Sequence, residues 1–218
     1  MKLYIKLITI LALLVTAGCH SKAPLVLLKP KNDIALARPS GTTPGARNTT
    51  PSLENGPIVV VETNLGNITI ALDKEKAPIS VENFLQYVRD GQYDGTLFHR
   101  VVQGFVIQGG GYNIAMEEKP TRPAIKNESN NGLRNRRGTV AMARRDLPDS
   151  ATCQFFINLE DNGFLNADGP YGGYAVFGRV IEGMAIADKI AANPVENRKD
   201  FENIPKTPVI IRKVTVKE

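Results

Sequence analysis

What most constrains this chain is the length of its apolar runs. Most are short, bounded by turn residues, and alternate or are β-branched, and only two segments keep a helical period. Ile58 to Glu62 and Ile68 to Leu72 flank Asn64-Leu65-Gly66-Asn67, which predicts a β-hairpin. Leu97 to Val102, Phe105 to Gln108, Gly138 to Ala143, Gln154 to Leu159, Ala175 to Val180 and Pro208 to Lys217 supply further strands. Pro78 to Asp90 is expected to be a helix. Val81, Phe84, Leu85 and Val88 share one face, with Pro78 suited to the first turn and Gly91 to the stop. Gly183 to Ala192 is expected to be the second. About eight strands and two helices point to a β-barrel or a sandwich, and the pattern alone leaves both open.

The N-terminal segment follows a different logic. Lys2 and Lys6 precede Leu7 to Val15, an apolar stretch too short to span a bilayer. Thr16, Ala17 and Gly18 are small, and Cys19 follows, so residues 1–18 have the form of a secretory leader. Residues 19–56 are rich in Pro, Gly, Thr, Ser and Asn and lack a hydrophobic period, which predicts a tether. Residues 57–218 are then the folded domain.

Charge follows the same division. Of 27 Lys and Arg and 22 Asp and Glu, seven and two respectively fall in residues 1–56, so the folded part carries twenty of each. A neutral domain argues against nucleic acid as a partner. A local cluster remains at Arg134, Arg136, Arg137, Arg144 and Arg145, either a solvated loop or a preference for acidic partner segments. Two cysteines give no disulfide framework if Cys19 is modified, so Cys153 is expected to be a packed thiol and the core to hold the domain.

Three blocks are more specific. Phe98 to Gly110, FHRVVQGFVIQGG, sets an arginine inside a strand-like run followed by Phe, Gln and glycines. Met142 to Leu159, MARRDLPDSATCQFFINL, and Tyr174 to Met184, YAVFGRVIEGM, follow in order. Together they resemble the cyclophilins, peptidyl-prolyl cis/trans isomerases, and NGLRNRRGTVAMAR with DSATCQFFIN resembles the periplasmic subgroup of Gram-negative bacteria. The resemblance implies a closed eight-stranded antiparallel β-barrel capped by two α-helices. It implies proline-containing, unfolded or partly folded polypeptides as substrates, no cofactor or metal, and a monomer. Gly18-Cys19 further resembles a lipoprotein signal, with Cys19 lipidated. Thr16 departs from the leucine usual there. His20 rather than Asp after the cysteine implies the outer membrane instead of the inner.

The chemistry asks little of a protein. The imide must twist over a barrier of about 18–20 kcal/mol, which unaided takes about 10–100 s. Ordinary enzymatic turnover needs roughly 3–7 kcal/mol of relief. In the twisted imide the nitrogen lone pair localises and accepts a hydrogen bond, so a fixed cation at Arg100 would act selectively on the transition state. An arginine stays charged, which predicts activity nearly flat between about pH 6 and 9. Outside that context, an arginine in a strand is more often an edge ion pair.

Alternation puts Val106 with Gln108 on one strand face, and Gln154 with Phe156 on another, leaving Phe155 and Ile157 for the core. The resemblance implies that Phe105, Val106, Phe156 and Leu165 line a proline pocket and that Gln108 holds Arg100 and reaches the substrate backbone. It implies that Ala143, Arg144 and Gln154 contact the peptide chain, Arg144 through its backbone. Phe164 and Tyr174 stand where well-known eukaryotic members have Trp and His. Gln103 replaces a usual proline and Val106 a methionine. With Phe164, weak cyclosporin binding is expected.

Other features carry less. His99, beside Phe98 and Val101, is expected to be a packed structural histidine rather than a hydrolase base. One domain histidine, without paired cysteines, argues against a metal site. Gly109-Gly110-Gly111 lacks the following helix of a phosphate loop. The aperiodic stretch Gly111 to Arg137 is long enough to be functional, and the resemblance has it frame the groove. A non-catalytic module that binds proline segments is the alternative reading, but a pure binder would not need Arg100.

Overall fold

The computed structural model describes residues 56–169 and 172–217. Cys19, the leader and the tether up to residue 55 lie outside the described residues. The elements are β1 (Ile58–Thr63), β2 (Gly66–Leu72), α1 (Pro78–Arg89), β3 (Thr96–Leu97), β4 (Arg100–Val102) and β5 (Val106–Gly109). After a long irregular stretch come β6 (Thr139–Met142), β7 (Phe155–Asn158) and a 3-10 turn (Gly163–Leu165). Then follow β8 (Val176–Glu182), α2 (Met184–Ala191), β9 (Val195–Arg198), β10 (Phe201–Pro205) and β11 (Ile210–Lys217).

The fold is mainly β with two helices, as expected, but the sheet differs from a closed eight-stranded barrel. Among the described residues, nine strands pair antiparallel in the open order β3-β11-β1-β2-β8-β6-β7-β5-β4. The expected strand Leu97 to Val102 is the reason. It breaks at Phe98-His99, ending β3 on one edge of the sheet and starting β4 on the other. Edges joined by two residues must lie close together, so the sheet curls strongly into a half-barrel. The seam is crossed by single main-chain bonds, Gly110 N–H to Leu97 O (3.2 Å) and Leu97 N–H to Tyr112 O (2.9 Å), not by a ladder.

Inside the curl lies the core. Phe84 of α1 meets Tyr93, Phe155 and Phe177 with ring centroids 5.0, 5.5 and 5.2 Å apart. Burying each such ring contributes about 1.5–3 kcal/mol. Ser80, Asn83 and Tyr87 are buried along with the predicted apolar stripe, so α1 is enclosed over more than one face. The long stretch before β6 is fastened to this helix. The Glu128 carboxylate accepts from the N–H groups of Ile79 (3.0 Å) and Ser80 (2.7 Å), which satisfies free donors of the first turn.

The β9–β10 hairpin was not legible in its charged sequence, VENRKDFENIP, where strand-favouring residues are sparse. It is held by packing: Phe201 meets Tyr112 edge to face at 5.0 Å, and Tyr112 meets His99 at 4.7 Å.

Candidate active site

Sheet register gathers the predicted residues. Arg100 of β4 pairs with Gln108 of β5, Gln108 with Phe156 of β7, Phe156 with Ala141 of β6, and Ala141 with Val176 of β8. Side chains of one cross-strand row share a face, so this row runs across the outer side of the sheet. The neighbouring row holds Val102, Val106 and Asn158. Phe155, Ile157 and Ile107, each one residue out of phase, belong to the inner core.

On the outer face, Phe105, Val106, Ala141, Ala143, Phe156, Leu165, Tyr174 and Val176 form a second apolar cluster, with Phe164 packed at its margin. Phe105 and Phe164 stack at 5.6 Å, and Tyr174 meets Phe156 edge to face at 5.8 Å. The turn before Phe105 closes with Gln103 in place, through Phe105 N–H to Val102 O (3.0 Å), with Gly104 supplying a positive φ of 67°.

Polar groups rim the cluster. The Gln108 amide Nε2 donates to Gln154 Oε1 (3.0 Å). Gly111 allows this, because a Cβ there would lie 2.4 Å from Gln154 Nε2. The triple glycine is thus a packing feature of the seam. Ala143 N–H donates to Gln154 O (2.9 Å). Arg144 bridges two segments, donating to the carbonyls of Gly173 before β8 (3.0 Å) and of its neighbour Arg145 (2.8 Å), with its guanidinium 4.5 Å from the centre of the Tyr174 ring. A concavity of about 660 Å³ adjoins the rim, walled in part by Gln154, Thr152, Pro120 and Arg145.

Arg100 is the electrostatic centre. It is 6% exposed, and its guanidinium carbon lies 5.9 Å from the centre of the Phe105 ring. Its Nε and Nη1 meet no acceptor among the described residues. Burial pulls its pKa down to about 10, against the opposing charges of Glu202 on β10 and Tyr174. A buried cation with idle donors is costly, and it is suited to an acceptor that appears only during reaction. His99 points elsewhere. Burial first, and then the charge of Arg100, hold its pKa at about 3, so it is neutral and unsuited to act as a base near neutral pH. Cys153 is buried in the inner core, its thiol raised to about 11 by burial, as suits a packed side chain.

A network of buried asparagines went unread in the sequence. Asn158 Nδ2 donates to Asn135 Oδ1 (3.1 Å), and Asn162 Nδ2 donates to Asn158 Oδ1 (2.8 Å) and Phe105 O (3.1 Å). Asn135 Nδ2 reaches the carbonyls of Leu165 (3.0 Å) and Tyr174 (3.2 Å). These amides lash the 3-10 turn, with Phe164 and Leu165, onto the outer face. No local signal marks them: Asn135 and Asn162 lie in loops, where an asparagine normally signals a turn, and Asn158 ends a strand.

The family model for cyclophilin type peptidyl-prolyl cis-trans isomerase/CLD matches residues 58–216. Peptidyl-prolyl cis-trans isomerase A of Dickeya dadantii (strain 3937) is 51% identical over 158 residues, covering 72% of this chain and 83% of that one. The isomerase of Acinetobacter baylyi (strain ATCC 33305 / BD413 / ADP1) is 56% identical, covering 73% and 85%. Isomerase B of Escherichia coli (strain K12) is 50% identical, covering 74% and 100%. Among solved structures, a Cryptosporidium parvum cyclophilin type isomerase, crystallised in the presence of the dipeptide Ala-Pro, superposes with a TM-score of 0.62 at 27% identity, covering 74% of this chain and 99% of that one. This chain belongs to the cyclophilin-type peptidyl-prolyl cis-trans isomerases.

Proposed function

We propose that the enzyme accelerates X-Pro rotation in exported proteins of the bacterial envelope, with Arg100 as the group that stabilises the twisted imide. The observation that carries this is the buried guanidinium of Arg100 with donors left idle at Nε and Nη1. The proline ring sits against Phe105, Val106, Phe156 and Leu165, with Phe164 and Tyr174 closing the sides. Gln108 reaches the substrate backbone, and Ala143, the Arg144 backbone and Gln154 contact the peptide chain. As the imide leaves planarity, its nitrogen gains a lone pair that accepts from Arg100. The planar ground state offers no such acceptor, so the interaction lowers the barrier without tightening substrate binding. No proton is transferred.

Support for substrate class comes from the Cryptosporidium relative, which was solved with Ala-Pro. Support for the envelope comes from the leader, Thr16-Ala17-Gly18-Cys19 and the tether. In this reading Cys19 carries a lipid, the outer membrane is the address, and the domain works as a monomer. NMR exchange spectroscopy on a short Ala-Pro peptide, with and without Arg100→Ala, tests the mechanism. Catalysis that survives loss of Arg100 refutes it. Fractionation of cells expressing Cys19→Ala tests the anchor, and continued membrane association would refute the lipid.

A further inference from the structure

A second surface feature lies on the same outer face. A cavity of about 360 Å³ opens beside β6 and β8, its walls carrying Lys76, Arg134, Arg136 and Arg179 against a single acid, Asp73. Asp73 is already engaged, its Oδ1 accepting from the Lys76 N–H (3.0 Å). Arg134 pairs with Asp168 at 3.2 Å. Among the described residues, Lys76, Arg136 and Arg179 make no ion pair. The other arginines of the sequence cluster are committed elsewhere: Arg137 to Asp188 (2.8 Å), Arg145 towards Glu118 (3.6 Å), and Arg144 to loop carbonyls.

Register fixes where this cavity stands relative to the isomerase centre. Thr139 pairs with Arg179 two pairs along from Ala141 and Val176, across a bulge in the register, and the intervening pair Val140 and Gly178 faces the other way. Arg179 therefore projects from the face that carries Arg100, Gln108 and Phe156. Val176 belongs to the apolar cluster of the active site and also lines the cavity, so the two are contiguous. From β4 to β8 there are four strand steps, roughly 19 Å along the sheet at about 4.8 Å each. About six residues of extended chain cover that distance at about 3.3 Å per residue.

We infer that this cavity is a subsite for acidic side chains of the substrate polypeptide, at about five to seven residues from the isomerised proline. The inference rests on the isomerase reading of the outer face and adds a sequence preference to it. Unpaired cations beside apolar Leu133 and Val176 match the mixed chemistry of Glu and Asp side chains in a peptide better than a bare inorganic anion. Such surface charges act mainly on encounter and weaken with salt.

The test uses the full chain and an Ala-Pro peptide carrying three Glu, or three Gln, at that spacing, on the N-terminal side in one pair and the C-terminal side in another. KM for catalysed exchange is measured at low and high salt. The expected result is a KM about fivefold or more lower for Glu than Gln in one of the two pairs. The difference should vanish at high salt and in the Arg136→Ala/Arg179→Ala variant. That variant should still isomerise a short uncharged Ala-Pro peptide at the wild-type rate, which keeps the isomerase reading separable from the subsite. Equal KM values in both pairs, or a preference that persists in the variant, would overturn the inference. So would arginine-dependent binding of inorganic phosphate or phosphatidylglycerol vesicles without discrimination between the peptides.

Discussion

Phe155 and Phe156 are adjacent, chemically identical and both fully buried, yet they belong to different parts of the molecule. Phe155 points into the curl, against Phe84, Tyr93 and Phe98. Phe156 points outward, between Gln108 and Ala141 in the row that begins at Arg100. The inner face is apolar and mutually satisfied. The outer face carries a cation with idle donors beside a second apolar cluster. One face holds the fold together, and the other keeps interactions in reserve.

The sharpest way to break this contrast is to truncate both rings. Phe155→Ala is expected to cost about 3–5 kcal/mol of stability in chemical denaturation, as for other large core deletions. Phe156→Ala should cost less stability and raise KM more. Equal effects on both quantities would dissolve the distinction.

Arg100→Ala should separate the faces differently. Its catalysis should fall on the order of 100- to 1000-fold in kcat/KM, the range for removal of one transition-state donor. Stability should hold steady or rise, because a buried charge without full pairing is lost. A marked drop in denaturation midpoint would make Arg100 structural.

His99 offers a pH test at the junction of the two faces. Its pKa of about 3 lies below the ordinary value of 6.5. The unfolded chain therefore binds a proton that the fold refuses, and stability is lost as pH falls from about 6.5 towards 3. Between pH 7 and 4.5 this amounts to about 2–3 kcal/mol. His99→Gln should lose that much less over the same interval, measured by urea denaturation at both values. A variant with the wild-type pH slope would show that His99 accepts its proton in the fold.

The smallest effect concerns the missed hairpin. Arg100 is held at about 10, with Glu202 on the supporting side. Catalysis should be flat from about pH 6 to 9 and fall as pH approaches 10. Glu202→Gln should move that alkaline fall to lower pH by about a few tenths of a unit, the scale of an exposed charge. An unmoved profile would detach β10 from the active site.

Local pattern determined much of this protein. Ile58 to Leu72 had to form a hairpin, Pro78 to Arg89 a helix, and strict alternation put Val106 with Gln108 and separated Phe155 from Phe156. A period of two or 3.6 residues is a property of neighbours, so it is visible in a string of letters. The three sequence blocks likewise carried the family, and with it the isomerase activity.

Tertiary structure alone decided the rest. Whether the sheet closes depended on Phe98-His99 breaking one apparent strand into two opposite edges. That Asn135, Asn158 and Asn162 form one amide network, and that Lys76, Arg136 and Arg179 share a cavity, depended on which distant segments the register brings together. Pairing between strands far apart in the chain is a sum of many weak contacts over the whole sheet. No single stretch of sequence contains that sum.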